Sequence, residues 1–321
     1  MKSTLKLFSG KYKTQHENNF VESSVGSLNN NYSWLKKVIF LLTVLVAFPV
    51  FQACEDQEQE SPPKLPPIES MVMNKTIFEG TNTTSNITLK DILDISVIKN
   101  SEASNKNFTN ASNTFWLCQS VLTVFLVIPV ASFAVAMDQQ PEYLGDSKWQ
   151  WSYNFQSTLG TFAAKLTGEI KTDKVVWEMY ISKEGVDAFD NVKWYEGTSA
   201  LDASGGDWTI NWNAQNPAAV LQIDWKKTNN KVGDIKYTYI NDKVGGVDDP
   251  TYGSYITYGL VDAVYNAFYN VYWYSADYGA FLSTDIEVNT KYGYGRIKSE
   301  YLYSDLNWRC WNEDGLDGDC E

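Results

Sequence analysis

From Trp149 to the end of the chain, large apolar side chains recur at every second residue. "WQWSYNF" sets Trp149, Trp151, Tyr153 and Phe155 on one face and Gln150, Ser152 and Asn154 on the other. "VVWEMYI" alternates Val175, Trp177, Met179 and Ile181 with Val176, Glu178 and Tyr180. "WTINW" points Trp208, Ile210 and Trp212 inward, and "LQIDW" does the same for Leu221, Ile223 and Trp225. "IKYTYI", "SYITYGL", "YNVYWY", "FLSTDIEV" and "GRIKSEYLY" continue the pattern. A period of two marks a strand with one buried face. Turn-forming stretches such as "SKEG", "ASGGD", "NAQNP", "KKTNN" and "TKYGYG" separate the runs at hairpin spacing. About ten antiparallel strands follow from this spacing. A curved up-and-down sheet or barrel is their natural arrangement, because closure removes exposed edges.

The inward side chains are large for a sandwich, so such a sheet needs an element to curl around. "TFWLCQSVLTVFLVIPVASFAVAM" (residues 114–137) offers one, with no charge from Asn107 to Met137. By length and hydropathy it reads as a membrane span. Against that, Gln119, Ser120, Thr123 and Ser132 are polar and Pro129 bends or ends a helix. A helix apolar on all sides belongs in lipid or at the centre of a fold. The strands that follow favour the second place. The expected fold is therefore mainly β (α+β): an antiparallel sheet or barrel packed around one apolar helix, with the span at 114–137 as the alternative. Cys118 reads as a core thiol. In architecture alone, this arrangement resembles the half-barrel-around-helix folds that carry lipids or lipoproteins in the periplasm. The resemblance implies a cavity or groove between sheet and helix.

Upstream, residues 68–113 form a polar, low-complexity lead-in. "MVMNKTIF" (residues 71–78) reads as a strand. "TLKDILDISVIK" (residues 88–99) reads as a short amphipathic helix through Leu89, Ile92, Leu93 and Val97. N-x-S/T triplets begin at Asn74, Asn82, Asn86, Asn107 and Asn110. They are glycan acceptors in a eukaryotic secreted protein, and products of composition in a tract this rich in Asn, Ser and Thr.

Lys36 and Lys37 precede the apolar run "VIFLLTVLVAFPVFQA", which stops at Ala53-Cys54. Charge, apolar run and small residue form a signal peptide. The small residue before cysteine resembles the lipobox of bacterial lipoproteins, with Phe51 and Gln52 departing from its usual aliphatic and small residues. That resemblance implies that residues 1–53 are removed and that Cys54 is lipidated. An ordinary secretory signal is the alternative. "EDQEQE" resembles the acidic segment behind the cysteine of Bacteroidota lipoproteins, which implies an outer-membrane location, facing the periplasm or the cell surface. "SPPKLPP" reads as an extended spacer, so residues 54–67 form an acidic and Pro-rich tether. Residues 1–34 are Asn- and Ser-rich, which points to a translation start near Leu35 on a non-Met codon. "PPKLPPIESMVM", "IPVASFAVA", "MYISKEG" and "CWNEDGLDGDC" together resemble a group of Bacteroidota lipoproteins, a resemblance that carries no activity with it.

Charge narrows the partners. The formal net charge is -13, and all six Lys of residues 1–53 lie ahead of Cys54, leaving an acidic body. Such a body repels phosphate backbones, so no nucleic-acid partner is expected. The sole histidine is His16, ahead of the apolar run. Its removal leaves no histidine for a catalytic triad, a zinc site or a proton shuttle. Cys310 and Cys320 enclose "WNEDGLDGD" and read as a disulfide outside the cytoplasm, two free thiols being the alternative. Asp314, Asp317 and Asp319, with glycines between, suit Ca²⁺, though the same residues also read as a solvated acidic tail. No other cofactor is expected. Exposed Trp and Tyr between residues 252 and 303 suit an apolar ligand or a glycan. No P-loop, Rossmann fingerprint or G-x-S-x-G elbow is present. The reading is a membrane-anchored, non-catalytic binding or carrier domain. A carboxylate-based glycan hydrolase is the alternative, and it requires two facing acidic side chains in a cleft.

Overall fold

The computed structural model describes residues 61–73, 78, 104–157, 159–229 and 231–320. Helix α1 (Lys106–Ala136) leads into β1 (Glu142–Gly145), β2 (Lys148–Ser157), β3 (Gly160–Ile170), β4 (Lys174–Lys183), β5 (Phe189–Ala200) and β6 (Gly205–Asn211). β7 (Ala219–Thr228), β8 (Lys231–Tyr239), β9 (Lys243–Val244), β10 (Val247–Asp248), β11 (Tyr255–Leu260) and β12 (Ala267–Ser275) follow. β13 (Ala280–Val288), β14 (Gly295–Ser299), the short helix α2 (Glu300–Tyr303), β15 (Arg309–Trp311) and β16 (Asp317–Gly318) complete the described chain.

β1–β8 and β11–β16 form one antiparallel meander in chain order, a 14-stranded sheet among the described residues. β9 and β10 make a separate small hairpin on the β8–β11 connection. β1 and β16 are the two ends of the strand order, so the sheet is open and the barrel closure is not realised. α1 touches β2 near one edge and β14, β15 and β16 at the other. The sheet therefore curls around the helix.

The expected alternation is realised as continuous inward rows. One row crosses eleven strands: Trp149, Gly168, Trp177, Gly197, Trp208, Ile223, Tyr237, Ile256, Val271, Thr284 and Ser299. Its first part alternates indole and glycine. A Cβ on Gly168 would lie 2.5 Å from the Trp177 ring, and one on Gly197 2.6 Å from the Trp208 ring. Glycine is thus the space into which each neighbouring indole folds. The buried indole N–H groups find partners: Trp177 Nε1 donates to Ser199 Oγ (2.9 Å) and Trp208 Nε1 to Ser70 Oγ (3.1 Å).

α1 buries a stripe of Ala111, Phe115, Cys118, Leu122, Leu126, Pro129, Phe133 and Ala136, at the 3–4 spacing of one helical face. Phe133 meets the edge of Trp208 at 5.4 Å, and Tyr153 OH donates to the Ser132 carbonyl at 2.7 Å. The helix is thus seated in the sheet through this one face, against β2 on one side and β14–β16 on the other.

Several expectations are corrected. The folded domain takes in residues 61–73 ahead of residue 114: Pro63, Pro66, Ser70, Met71 and Met73 are buried, so residues 61–67 line the core where a free spacer was expected. α1 begins at Lys106. Asn107 and Asn110, in two of the N-x-S/T triplets, are 7% and 1% exposed, which leaves no room for a glycan. Residues 71–73 form a turn and bend in place of a strand, and the helix expected at 88–99 lies outside the described residues. Trp212, expected inward, is 43% exposed; it lies past the end of β6, against Phe125 at 5.3 Å. "GRIKSEYLY" is strand only to Ser299 and then turns into α2.

Candidate ligand cavity

Helix and sheet part company on one side of α1. A cavity of about 480 Å³ lies there, between α1 and β7, β8 and β11–β13. α1 contributes Thr114, Leu117, Cys118, Val121, Leu122 and Phe125, spaced as one helical face about 16 Å long. Leu221, Tyr237, Tyr239, Ile256, Val271 and Trp273 line it from the sheet. Tyr301 and Leu302 of α2 close one side, while Thr251 and Ser254 of the β10–β11 connection lie at the rim. The sheet residues cluster where β7 and β11 start, where β8 and β12 finish and at the middle of β13, so the cavity lies toward one end of the strands.

The lining contains no Asp, Glu, Lys or Arg. Many of its polar atoms are already paired. Tyr237 OH donates to the Met71 carbonyl (3.3 Å), Tyr239 OH to Asp249 Oδ2 (2.9 Å) and Thr114 Oγ1 to the Asn110 carbonyl (2.8 Å). Thr284 Oγ1 and Ser299 Oγ lie 2.8 Å apart. Burial pushes the Cys118 thiol up to about 12 and raises Tyr237 well above its ordinary value. Burial, helped by the neighbouring Asp249 carboxylate, pushes Tyr239 up to about 12. All three groups therefore stay neutral near pH 7. The cavity is an uncharged, apolar space bounded by aromatic rings.

The residues singled out in the sequence lie elsewhere. Cys310 and Cys320 are joined as a disulfide, with Cα atoms 5.2 Å apart. Cys54 lies outside the described residues. Asp314, Asp317 and Asp319 are not brought together with one another: among the described residues no group of three His, Cys, Asp or Glu gathers. Asp317 has another task. Its Oδ1 accepts the Asn107 N–H at 2.8 Å, and its own N–H donates to the Ser104 carbonyl at 2.7 Å. Asn105, the N-cap residue of α1, makes no side-chain cap. A carboxylate from the other end of the chain thus caps the helix, where the macrodipole favours a negative charge. Asn107 Nδ2 adds a bond to the Cys310 carbonyl at 2.9 Å, tying the disulfide hairpin to the same turn.

Part of the aromatic run between residues 252 and 303 packs against itself. Tyr255, Tyr272 and Phe281 stack on one another across strands, at 5.1 and 4.9 Å between centroids. Lys236 covers Tyr255 at 4.2 Å, and the edge of Tyr274 meets Phe281 at 5.5 Å. The faces of Tyr255, Tyr272 and Phe281 are thus occupied by neighbouring side chains, while Tyr252, Tyr278 and Tyr292 stay exposed. Pattern reading missed the cavity lining itself, because an inward residue facing a void has the same period as one facing a partner. The available signal was the shift to smaller inward residues after Tyr237, through Val271 and Thr284 to Ser299.

No protein-family model, no curated protein and no solved structure matches this chain.

Proposed function

We propose that this chain is a lipid-anchored envelope protein whose β-domain binds an apolar ligand between α1 and the sheet, without catalysis. The observation that carries the reading is the 480 Å³ cavity with no charged residue in its lining. That volume falls within the range of about 300–1,000 Å³ usual for small-molecule sites. The same lining counts against the hydrolase reading, which needs a carboxylic acid and a carboxylate facing each other. α1 is long and apolar enough to cross a membrane by length and composition. Its continuous buried stripe supports a core role instead.

The anchor would hold the domain close to the bilayer. Six residues, and so seven Cα–Cα steps, separate Cys54 from Ser61, where the described chain begins. Fully extended, they reach about 25 Å at most.

The test uses full-length protein and the apolar dye N-phenylnaphthylamine. Dye fluorescence should rise on binding to wild type and fall back in Val121→Trp, which sets an indole into the cavity from its rim. Equal binding to both would place the dye elsewhere and overturn the reading. The mass of the mature N-terminal peptide tests the anchor separately. A lipidated residue 54 that disappears in Cys54→Ala supports it, and an unmodified chain that stays in the membrane contradicts it.

A further inference from the structure

The back of α1 is only half covered. The sheet opens between β1 and β16, and α1 meets β2 near one edge and β14–β16 at the other. The helix therefore fills the opening, with one face seated and the other turned outward. Trp116, Ser120, Val124, Val127, Ala131 and Ala134 make up the outward strip, at the 3–4 spacing of one helical face and about half a turn from the buried stripe. The strip is about 27 Å long. Val124 is 51% exposed, Ala134 is exposed, and the other four are half-buried.

Its chemistry is unlike that of a helix facing water, whose outer face carries charge. No Asp, Glu, Lys, Arg or His occurs between Asn107 and Met137. The hydroxyls on this side are already spent within the helix. Ser120 Oγ donates to the Trp116 carbonyl (2.9 Å) and Thr123 Oγ1 to the Gln119 carbonyl (2.7 Å). On this face, uncommitted polar side chains return at the two ends of the strip, at Asn113 before it and Asp138 after it. α1 is long and apolar enough to cross a membrane, yet less than half of its most apolar window is buried. A seat in the sheet requires one apolar face, and the second calls for an apolar surround.

The strip offers a partner no charge to pair with, which favours an apolar medium. Residues 68–70 touch α1, so the tether leads from beside this helix back to Cys54. A lipid on Cys54 would bring a bilayer within reach of the strip; that step rests on the anchor reading.

We propose that α1 is a membrane seat: its outward strip lies at the boundary between headgroups and acyl chains of a zwitterionic bilayer, while its inner stripe stays in the sheet. The helix lies along the surface and does not cross it. The acidic body turns the preference away from anionic lipid. Val121, beside the strip, is 39% exposed and also lines the cavity, so the seat places the cavity beside the bilayer.

The test is methyl NMR of full-length protein on phosphatidylcholine bicelles that carry a spin-labelled lipid. With the label near the headgroups, the methyls of Val124 and Val127 should broaden, while those of Val186 on the β4–β5 connection and Leu166 in the core stay sharp. In a Cys54→Ala background, which removes the anchor, Val124→Asp should lower affinity for phosphatidylcholine vesicles about tenfold. Its thermal unfolding should not change, because Val124 is already half exposed. A Cys54→Ala protein that binds vesicles no better than its Val124→Asp derivative would overturn the seat. A lipidated Cys54 with Val124 unbroadened would overturn it too, while leaving the anchor standing. An unmodified Cys54 with Val124 broadened would remove the anchor and leave the seat. Equal broadening of Leu122 and Leu126 on the buried stripe would mean that the helix crosses the bilayer, against the proposal. A dimer in lipid-free solution that Val124→Asp splits would give the strip to a second copy of the chain and likewise overturn it.

Discussion

The two halves of the sheet interior solve the same packing problem differently. Under β2–β6, the inward row reads Trp149, Gly168, Trp177, Gly197, Trp208, and its three indoles are at most 2% exposed. Under β11–β14 the same row reads Ile256, Val271, Thr284, Ser299. Ile256 and Val271 point inward yet stay half-buried, because they face the cavity. The neighbouring row makes the same transition: Met179, Tyr195, Ile210 and Leu221 are buried, and Tyr239 is half-buried. The first half is filled a second time by residues 61–73, whose Pro63 lies close enough to be 3.1 Å from a Cβ on Gly168. A chain that packs one half this tightly has the means to fill the other. The void is thus local to the residues under β7, β8 and β11–β13, where the proposed ligand site lies.

The comparison breaks or sharpens under four measurements. The largest effect is expected from Trp208→Ala, which empties a fully buried site and orphans the Ser70 contact. It should cost about 3–5 kcal/mol in denaturant unfolding. Trp273→Ala, in a wall that already faces a void, should cost less than half of that. Equal losses would mean that both halves are equally packed.

The second measurement asks whether the open half is dry. With its pKa raised from 9.0 to about 12, the Cys118 thiol keeps its proton in the folded state while the unfolded chain loses it. Between those values the folded state holds more protons, so stability falls as pH rises, by on the order of 4 kcal/mol over the window. Cys118→Ala should remove that share of the alkaline loss. A wild-type curve that parallels the mutant would mean that water reaches the thiol and that the cavity is wet.

Third, the cap at the N-terminal end of α1 depends on the C-terminal hairpin. Replacing Cys310 and Cys320 together by Ser should cost about 2–3 kcal/mol through the lost loop constraint. Native-state hydrogen exchange should then rise first in residues 106–110. Uniform exchange along α1 would show that the hairpin does not hold the helix end.

The smallest contrast comes from adding atoms. Gly168→Ala pushes a Cβ to 2.5 Å from the Trp177 ring and should cost about 1–3 kcal/mol by overpacking. Val271→Leu adds a methylene beside the void and should stay within about 0.5 kcal/mol of wild type. Thermal unfolding of the pair decides, and a penalty of the same size at Val271 would argue against open space there.

The strands that the sequence revealed are β2, β4, β6–β8 and β11–β14, where large apolar or aromatic residues recur on the inward side. β3 and β5 escaped notice for a physical reason. Their inward residues include Gly168 and Gly197, where the indoles next door occupy the space of a side chain. In β5 a register shift also places Trp194 and Tyr195 consecutively in the interior, at 9% and 0% exposure, which breaks the period. The helix was legible from its uninterrupted apolar run, and its seat in the sheet from the strands behind it. A groove between the two was an expected consequence. Its lining was not nameable, because pairing register alone determines which inward residues share one end of the meander. The acidic C-terminal loop was ambiguous in another way. Glycines and carboxylates at close spacing describe a cation loop and a helix-capping hairpin equally well, and only the position of Asn107 separates them.

The most direct test of the account is a methyl NMR titration of full-length protein with a long-chain n-alkanol. The account predicts that the methyls of Leu122, Ile256 and Val271 shift together and saturate, while those of Leu166, Met179 and Ile210 in the packed half stay still. Shifts confined to exposed methyls such as Val124 and Val186, or no saturable shift in the cavity, would contradict it.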